Sequence, residues 1–352
     1  MTESLWPRLA ALPLTVESYE LEPLSSGPGF EPERETVLVR LRGAGTDGVG
    51  EDIWPAELLQ AGPNLPLAGE WTLEAFCDHL ATLDQWPTPP EFDLALNWRN
   101  WTYESAALDL ALRQAGTSLP EALGLEPQPV RFVNSLGLGD EPSATRVRDR
   151  VAANPSVRFK LDAAVAWSDG VCGELAAMDA VDTVDFKGRY GLEPPPLEDL
   201  LALYDRVLAA FPGATIEDPH DLPEVTEKLR AHADRISYDA PVVAVDTLGA
   251  QPLPFRIVNI KPTRIGSLRR LFDLYAHAAA TGLTLYGGGM GEVGPGRHQI
   301  QVLASLFHPD APNDVAPTPY NAATPADGLP ASPLPPPRPD GFRGPADPAS
   351  DA

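Results

Sequence analysis

The pattern of apolar and polar residues divides most of the chain into two parts. Between residues 14 and 54 the two kinds alternate, which predicts strands in TVESYELEPL and ETVLVRLRG and a glycine-rich turn with a return strand in GAGTDGVGED. The period then becomes helical in TLEAFCDHLATL and SAALDLALRQAG, and the second segment ends at a glycine that suits a helix C-cap. Residues 1–125 are therefore predicted to form an α+β unit.

From Gln128 onward, short apolar runs alternate with helical segments. Seven runs are predicted as strands: VRFVNSLG, SVRFKLDA, AVDTVDFKG, GATIEDP, DRISYDAPV, RIVNIKPTRIG and GLTLYGGGM. Repeated strand–helix units indicate a parallel sheet covered by helices. So many units in about 180 residues favour a closed barrel over residues 126–310, with an open doubly wound sheet as the alternative.

A third part, residues 311–352, is rich in proline. Proline suits neither the interior of a helix nor a central strand. We predict an extension that wraps the surface as extended chain and is partly disordered.

Composition limits the classes of partner and compartment. Fifty acidic and 26 basic residues give a formal charge of -24, which repels nucleic-acid phosphates and anionic membranes. The acidic residues either attract a divalent cation or form only a solvated surface. Cys77 and Cys172 are far apart and lack metal-ligand spacing, so we expect reduced thiols. The chain lacks both a membrane-length apolar run and a secretory leader pattern, which predicts a cytoplasmic protein.

Charged residues recur at the predicted strand ends, where barrel enzymes build their active sites. They are, in strand order: Arg158 and Lys160, Asp185, Glu217, Asp239 and Lys261. Three carboxylates brought together are costly unless a cation neutralises them, and hard oxygen ligands suit Mg²⁺. Taken singly, each residue has an ordinary explanation, such as a solvated lysine or a helix-capping aspartate. The joint pattern is what predicts a site.

Either Asp239 or Asp246 could end the fifth strand. Fifteen residues separate Asp246 from Lys261, too few for a strand and a parallel crossover, whereas 22 residues separate Asp239 from Lys261. We therefore prefer Asp239 as the third carboxylate.

In this order the residues resemble the enolase superfamily, in its muconate-lactonizing enzyme and o-succinylbenzoate synthase branch (the mandelate racemase/muconate lactonizing enzyme family). The motifs that carry the resemblance, over about residues 15–310, are RFKLD, VDFKG, IEDP, YDAP, VNIKPTRIGSL, GGGMGEVGPGRHQIQVLASL and the upstream YESAALDLALRQAG. The resemblance implies an α/β fold: a modified TIM barrel, (β/α)7β, with an α+β capping domain.

The resemblance also implies a chemistry. The implied enzyme is a Mg²⁺-dependent (or Mn²⁺-dependent) lyase or isomerase. It would abstract a proton α to a carboxylate to give a metal-stabilised enediolate, with Asp185, Glu217 and Asp239 as metal ligands. Lys160 would be the base, and Lys261 opposite it a second acid/base or a stabilising cation. The substrate is then a small carboxylate. Its reaction is left open between o-succinylbenzoate synthase-like dehydration, cycloisomerisation, and racemisation or epimerisation of an N-acyl amino acid or dipeptide.

Three positions depart from the family pattern. Arg158 stands in place of a lysine, Lys187 in place of an asparagine, and Ala240 in place of a glutamate. These departures support a rival hypothesis, a barrel that lost the chemistry and acts as a binding or interaction protein. Lys187 is left without a role.

Substrate selection is predicted to come from the capping domain and the strand ends. LSSGPGFEPERET (residues 24–36) and EDIWPAELL are predicted to close over the barrel as a lid. Asn134, Arg158 and Glu292 are predicted to contact substrate. The alternatives are a turn cap for Asn134 and an ion pair with Arg297 for Glu292. Association into a homo-oligomer is left open.

Overall fold

The N-terminal part of the computed structural model forms two small antiparallel sheets, and the structure describes residues 3–27, 29–30, 32–54 and 62–344. The five strands are β1 (Pro13–Val16), β2 (Ser18–Ser25), β3 (Glu35–Gly43), β4 (Thr46–Asp52) and β5 (Gly69–Thr72). β3 lies between β2 and β4, and β1 pairs with β5. The alternating pattern thus predicted β3 and β4 correctly and treated the end of β1 and most of β2 as one strand, whereas β5 was not predicted.

One long helix, Leu94–Gln114, covers this sheet. Gly48 and Gly50 of β4 allow the contact, because a Cβ at either would lie within 2.4 Å of the helix backbone. Within the described residues, the other helices of this part are Trp6–Ala10, Leu73–Leu80 and Leu119–Leu123. Helix Leu73–Leu80 begins where the Thr72 hydroxyl accepts a hydrogen bond from the Ala75 N–H.

The second part is a parallel barrel. Its seven strands pair in sequence order: β6 (Asn134–Gly137), β7 (Phe159–Asp162), β8 (Val181–Asp185), β9 (Thr215–Glu217), β10 (Ile236–Tyr238), β11 (Ile257–Ile260) and β12 (Thr284–Gly287). Parallel bridges from Asn313 to Phe132 and from Asp314 to Gly288 supply the eighth position and close the ring. The predicted closed barrel is confirmed, and the open sheet is wrong.

Helices follow the strands around the outside of the barrel. They are Thr145–Ala153, Asp169–Ala177, Leu197–Ala210, Pro223–Leu229, Val245–Leu248, Pro262–Ile265, Leu268–Thr281 and Pro295–Phe307, with 3-10 turns at Arg230–Arg235 and Thr318–Asn321. Among the helices of the described ranges, none combines the length and apolarity needed to cross a membrane. Cys77 and Cys172 are free and buried.

Two buried carboxylates of the cap hold it to the barrel. Glu51 of β4 accepts hydrogen bonds from the N–H groups of Val293 and Gly296, at the start of helix Pro295–Phe307. Glu104 of helix Leu94–Gln114 accepts one from the Leu268 N–H at 2.6 Å. A carboxylate at a helix N-terminus satisfies free N–H groups and favours the helix dipole. The cap is therefore fixed in position over the barrel.

Glu104 should make the stability of the protein depend on pH. Burial raises the pKa of Glu104 from 4.5 to about 7. The folded state therefore binds a proton that the unfolded state loses, so this contribution is complete below pH 4.5 and is lost as pH rises through 7. Urea unfolding from pH 5 to 8 should show wild type losing roughly 1–3 kcal/mol relative to Glu104→Gln, which cannot ionise. If the free energies of unfolding of wild type and Glu104→Gln depended on pH in the same way, the raised pKa of Glu104 would be contradicted.

The proline-rich extension is packed against both parts of the molecule. The Leu334 N–H donates to the Val130 carbonyl of the barrel at 2.8 Å. Farther on, Phe342 is fully buried against Trp101 of the cap, and its N–H donates to Asp109. The extended wrapping predicted from composition is therefore seen through residue 344, and residues 345–352 lie outside the described part.

Candidate active site

A cleft of about 740 Å³ opens at the carboxyl ends of the barrel strands. The cap contributes Ser26, Phe30, Pro32 and Arg34, all from the loop predicted as a lid. The extension contributes Thr318 and Asn321. Of the second predicted lid segment, Glu51 and Asp52 belong to β4, and residues 55–59 lie outside the described residues. The cleft is thus enclosed by three separate stretches of chain.

The three predicted metal ligands meet at the base of this cleft. Asp185 and Glu217 are the last residues of β8 and β9 and face each other in register, and Asp239 follows β10 directly. All three side chains are fully buried. Asp246 instead lies exposed in the first turn of helix Val245–Leu248, which removes it as an alternative.

Lys160 lies between two of these carboxylates. Its Nζ donates a short hydrogen bond to Glu217 and lies 3.3 Å from Asp185 Oδ2. Burial would lower the pKa of Lys160, but attraction to Glu217 and Asp185 outweighs burial and holds that pKa well above its ordinary value. Burial pushes the pKa of Glu217 up, to about 8, against the pull of the same ammonium. Because the two groups are in direct contact, we treat them as an ion pair.

Asp239 accepts hydrogen bonds from two side chains and forms an ion pair with a third. Arg264 donates a short hydrogen bond to Oδ1, Lys261 Nζ lies 3.0 Å from Oδ2, and the Tyr190 hydroxyl donates to Oδ2 at 2.9 Å. Burial would raise the pKa of Asp239, but the adjacent guanidinium and ammonium hold it well below its ordinary value. Asp239 is therefore an ionised group, and Lys261 is held beside it.

Several residues of the site were not predicted from the sequence. Tyr286 of β12 donates to Glu217, and the Asp218 carboxylate accepts the N–H groups of Asp239 and Ala240 at 2.8 Å each. Asp218 adopts a left-handed conformation, with φ of 46°. The motifs IEDP and KPTRIG contain Asp218 and Arg264, but the sequence pattern predicts roles only for Glu217 and Lys261 in them.

Lys187 joins two strand ends. Its Nζ lies 3.1 Å from Asp185 Oδ2 and 3.0 Å from Asp162 Oδ1, and it lines the cleft. Its N–H also donates to Asp185. The residue in the family's asparagine position is thus a cation bound directly to a predicted metal ligand.

The three predicted substrate contacts have different surroundings. Asn134 lines the cleft, and its Oδ1 has no partner among the described residues. Arg158 precedes β7 and lies toward the amino ends of the strands, where it binds Asp182. Contact of Asn134 with substrate stays a prediction, whereas the position of Arg158 gives no reason to retain it as a substrate contact.

Glu292 is turned into the protein. Its carboxylate accepts hydrogen bonds from the Thr263 hydroxyl at 2.6 Å and the Met290 N–H at 2.8 Å. Arg297 binds the carbonyl oxygen of Glu292 rather than its carboxylate. We therefore retain neither the predicted contact of Glu292 with substrate nor the predicted ion pair between Glu292 and Arg297.

The donor set fits Mg²⁺ by chemistry, since three buried carboxylates are hard oxygen ligands. Every oxygen of Asp185, Glu217 and Asp239 nevertheless accepts a hydrogen bond from a protein donor. With the side chains in their present positions, no group of three or more Asp, Glu, His or Cys residues within the described ranges could hold a metal ion. Metal binding would therefore have to displace lysine ammonium groups from the carboxylates.

Lysine is scarce in this chain, with four residues in all. Three of them are Lys160, Lys187 and Lys261, and each contacts at least one of the three carboxylates. The fourth, Lys228, lies on the outer helix Pro223–Leu229. Arginine carries the other positive side-chain charges, and unlike arginine a lysine amine can lose its proton within a protein.

Two family models cover most of the chain: the N-terminal domain of a family described as a domain of unknown function, DUF8230, over residues 7–122, and its C-terminal domain over residues 126–322. The chain belongs to the DUF8230 family. This DUF8230 protein is 28% identical over 311 residues to an N-succinylamino acid racemase of Thermus thermophilus, covering 82% of this chain and 80% of that relative.

Solved structures share the fold of the DUF8230 protein. An isomerase of Streptomyces coelicolor has a TM-score of 0.69 at 16% identity, covering 96% of this chain and 98% of that one. A dipeptide epimerase of Methylococcus capsulatus, complexed with a magnesium ion, has a TM-score of 0.59 at 20% identity, covering 85% and 89%. Together with the racemase relative, these similarities confirm the predicted enolase superfamily and its mandelate racemase/muconate lactonizing branch. The DUF8230 protein is accordingly an isomerase or lyase of that superfamily.

Proposed function

We propose that this enzyme moves a proton to and from the carbon next to a substrate carboxylate, and that it racemises or epimerises an N-acyl amino acid or a related small carboxylate. The observation that carries the proposal is the placement of three of the four lysines against three buried carboxylates at one end of the barrel. The racemase relative favours this outcome over dehydration or cycloisomerisation.

Lys261 and Lys160 are the proposed acid and base. Lys160 lies in β7 and Lys261 directly follows β11, on opposite sides of the strands that carry the carboxylates. Racemisation needs one group on each face of the reacting carbon, and two lysines from separate strands supply them. Lys261 lines the cleft, whereas Lys160 lies beneath it and has to turn from Glu217 before it can reach a substrate.

Asp185, Glu217 and Asp239 are the groups that would hold Mg²⁺. The bound cation would supply fixed positive charge for the carboxylate oxygens whose negative charge grows as the α-proton leaves. Lys160 already lies at this position as a cation between Asp185 and Glu217. Its release would remove the carboxylates that raise the pKa of Lys160, so that the ammonium could lose a proton to solvent and serve as a base. Metal binding and the availability of the base would then be linked.

Calorimetric titration of the full chain with Mg²⁺ tests the metal part of the proposal. Wild type should bind, and Glu217→Gln should weaken binding at least roughly tenfold, because one charged ligand is lost. Asp246→Asn serves as the matched control, since this exposed carboxylate lies outside the site. Absence of binding to folded wild type, or equal binding to Glu217→Gln, would contradict the proposal and favour the binding-protein hypothesis.

A further inference from the structure

Two guanidinium groups line the cleft without an ion pair in the described part of the chain. Arg34 comes from the lid loop of the cap, and its side chain has neither a hydrogen bond nor an ion pair there. Arg297 comes from helix Pro295–Phe307, and its only hydrogen-bond acceptor there is the Glu292 carbonyl oxygen. The other cations of the cleft base, Lys187, Lys261 and Arg264, are each bound to carboxylates. Arg34 and Arg297 therefore carry positive charge near the cap that no carboxylate of the described residues neutralises.

The backbone of Arg34 is held in place at the neck of the lid loop. Its N–H donates to Ser26 Oγ at 3.0 Å, and its carbonyl accepts the Ser26 N–H at 2.9 Å. The tip of the loop is tied to the extension, because the Ala323 N–H donates to the Gly29 carbonyl at 2.8 Å. Arg34 is thus exposed but presented from a fixed position.

Gly291 makes room for the Arg34 side chain. Its φ is 122°, and a Cβ there would lie 2.3 Å from Arg34 Nη1. The guanidinium therefore lies directly against the segment that follows β12. Any larger residue at position 291 would push it away.

Arg297 lies near the same segment. A Cβ on Gly289 would be 3.7 Å from its Cζ, two residues from the glycine that faces Arg34. Arg297 is only 8% exposed, and a buried cation without a charged partner is costly unless a ligand supplies the counter-ion. A chain with a net charge of -24 thus directs into its own cleft two cations that have no ion pair among the described residues. The acidic residues that line the cleft are Asp162, already paired with Lys187, and Asp314.

We propose that Arg34, with Arg297 as the second cation, binds a second anionic group of the substrate, a carboxylate remote from the reacting carbon. The inference rests on the proposed function for the identity of the reacting end. It makes Arg34 the residue by which the cap selects dianionic over monoanionic acyl amino acids. A guanidinium binds a carboxylate through two parallel hydrogen bonds, which gives both affinity and orientation.

Binding of two N-acylglycines to the full chain with Mg²⁺ tests the inference. N-succinylglycine carries a second carboxylate, and N-butyrylglycine has an acyl chain of similar length without it. Calorimetry should show wild type binding the dianion roughly 10- to 100-fold more tightly. Arg34→Gln should lose most of this preference while keeping its affinity for N-butyrylglycine, and Arg34→Lys should retain part of it.

Arg42→Gln is the matched control, because Arg42 is an exposed arginine of the same hairpin that is paired with Glu20. It should keep the full preference. An equal preference in wild type and Arg34→Gln, or no preference in wild type, would overturn the inference. Failure of the proposed function is a separate outcome: the preference for the dianion would persist while no α-proton of any N-acyl amino acid exchanged with solvent.

Discussion

Lys261→Ala should lower the rate of α-proton exchange by about 10²- to 10⁴-fold, the usual contribution of a positioned general acid or base. Lys261 lines the cleft and touches a proposed metal ligand, Asp239. Lys160→Ala should lower the rate of α-proton exchange of the opposite enantiomer by a similar factor. The measurement is ¹H NMR in D₂O with each enantiomer of an N-succinyl amino acid supplied separately.

Lys228→Ala is the control for these variants, since it removes the lysine that lies on an outer helix. Its exchange rate should equal that of wild type. If each lysine variant loses exchange with one enantiomer only, the two act on opposite faces of the substrate. Unchanged exchange in both variants would mean that neither lysine transfers the proton.

Phe342→Ala should destabilise the protein by about 3–4 kcal/mol, within the range for removing a fully buried aromatic side chain. Phe342 is 0% exposed and packs edge-to-face on Trp101, so its loss leaves a cavity between the extension and the cap. It also anchors the segment in which Arg343 bonds to Asp47. The free energy of unfolding in urea is the measurement.

Phe92→Ala provides the comparison for this effect, because Phe92 is 42% exposed. It should cost less than half as much. Equal effects of the two substitutions, or a Phe342 variant as stable as wild type, would show that the extension contributes little to the fold. Such a result would contradict the packing of Phe342 between the extension and the cap.

The barrel strands could be predicted because a buried strand appears in the sequence as a short run of apolar residues. Each of the seven apolar runs became a strand, and the residues that end them, such as Asp185 and Glu217, were brought together by the parallel register. Spacing alone also separated Asp239 from Asp246, since a parallel crossover has a minimum length. These features follow from short-range patterns and chain connectivity.

The hydrogen-bond partners of the carboxylates could not be predicted in the same way. Tyr286 and Glu217 are far apart in sequence and meet only across the closed barrel. Arg158 was assigned to the cleft because it stands beside Lys160, but its place before β7 directs it to the other end of the barrel. Contacts of this kind depend on side-chain direction and on which strands face each other, neither of which is a property of a local segment.

Exchange of the α-proton with solvent is the most direct test of the central claim. Folded wild-type protein with Mg²⁺ in D₂O should remove the α-proton signal of an N-acyl amino acid in a panel that includes N-succinyl derivatives and dipeptides. Both enantiomers should appear in the product. If no member of the panel exchanges while the protein is folded and binds Mg²⁺, the site does not transfer protons and the proposed function is wrong.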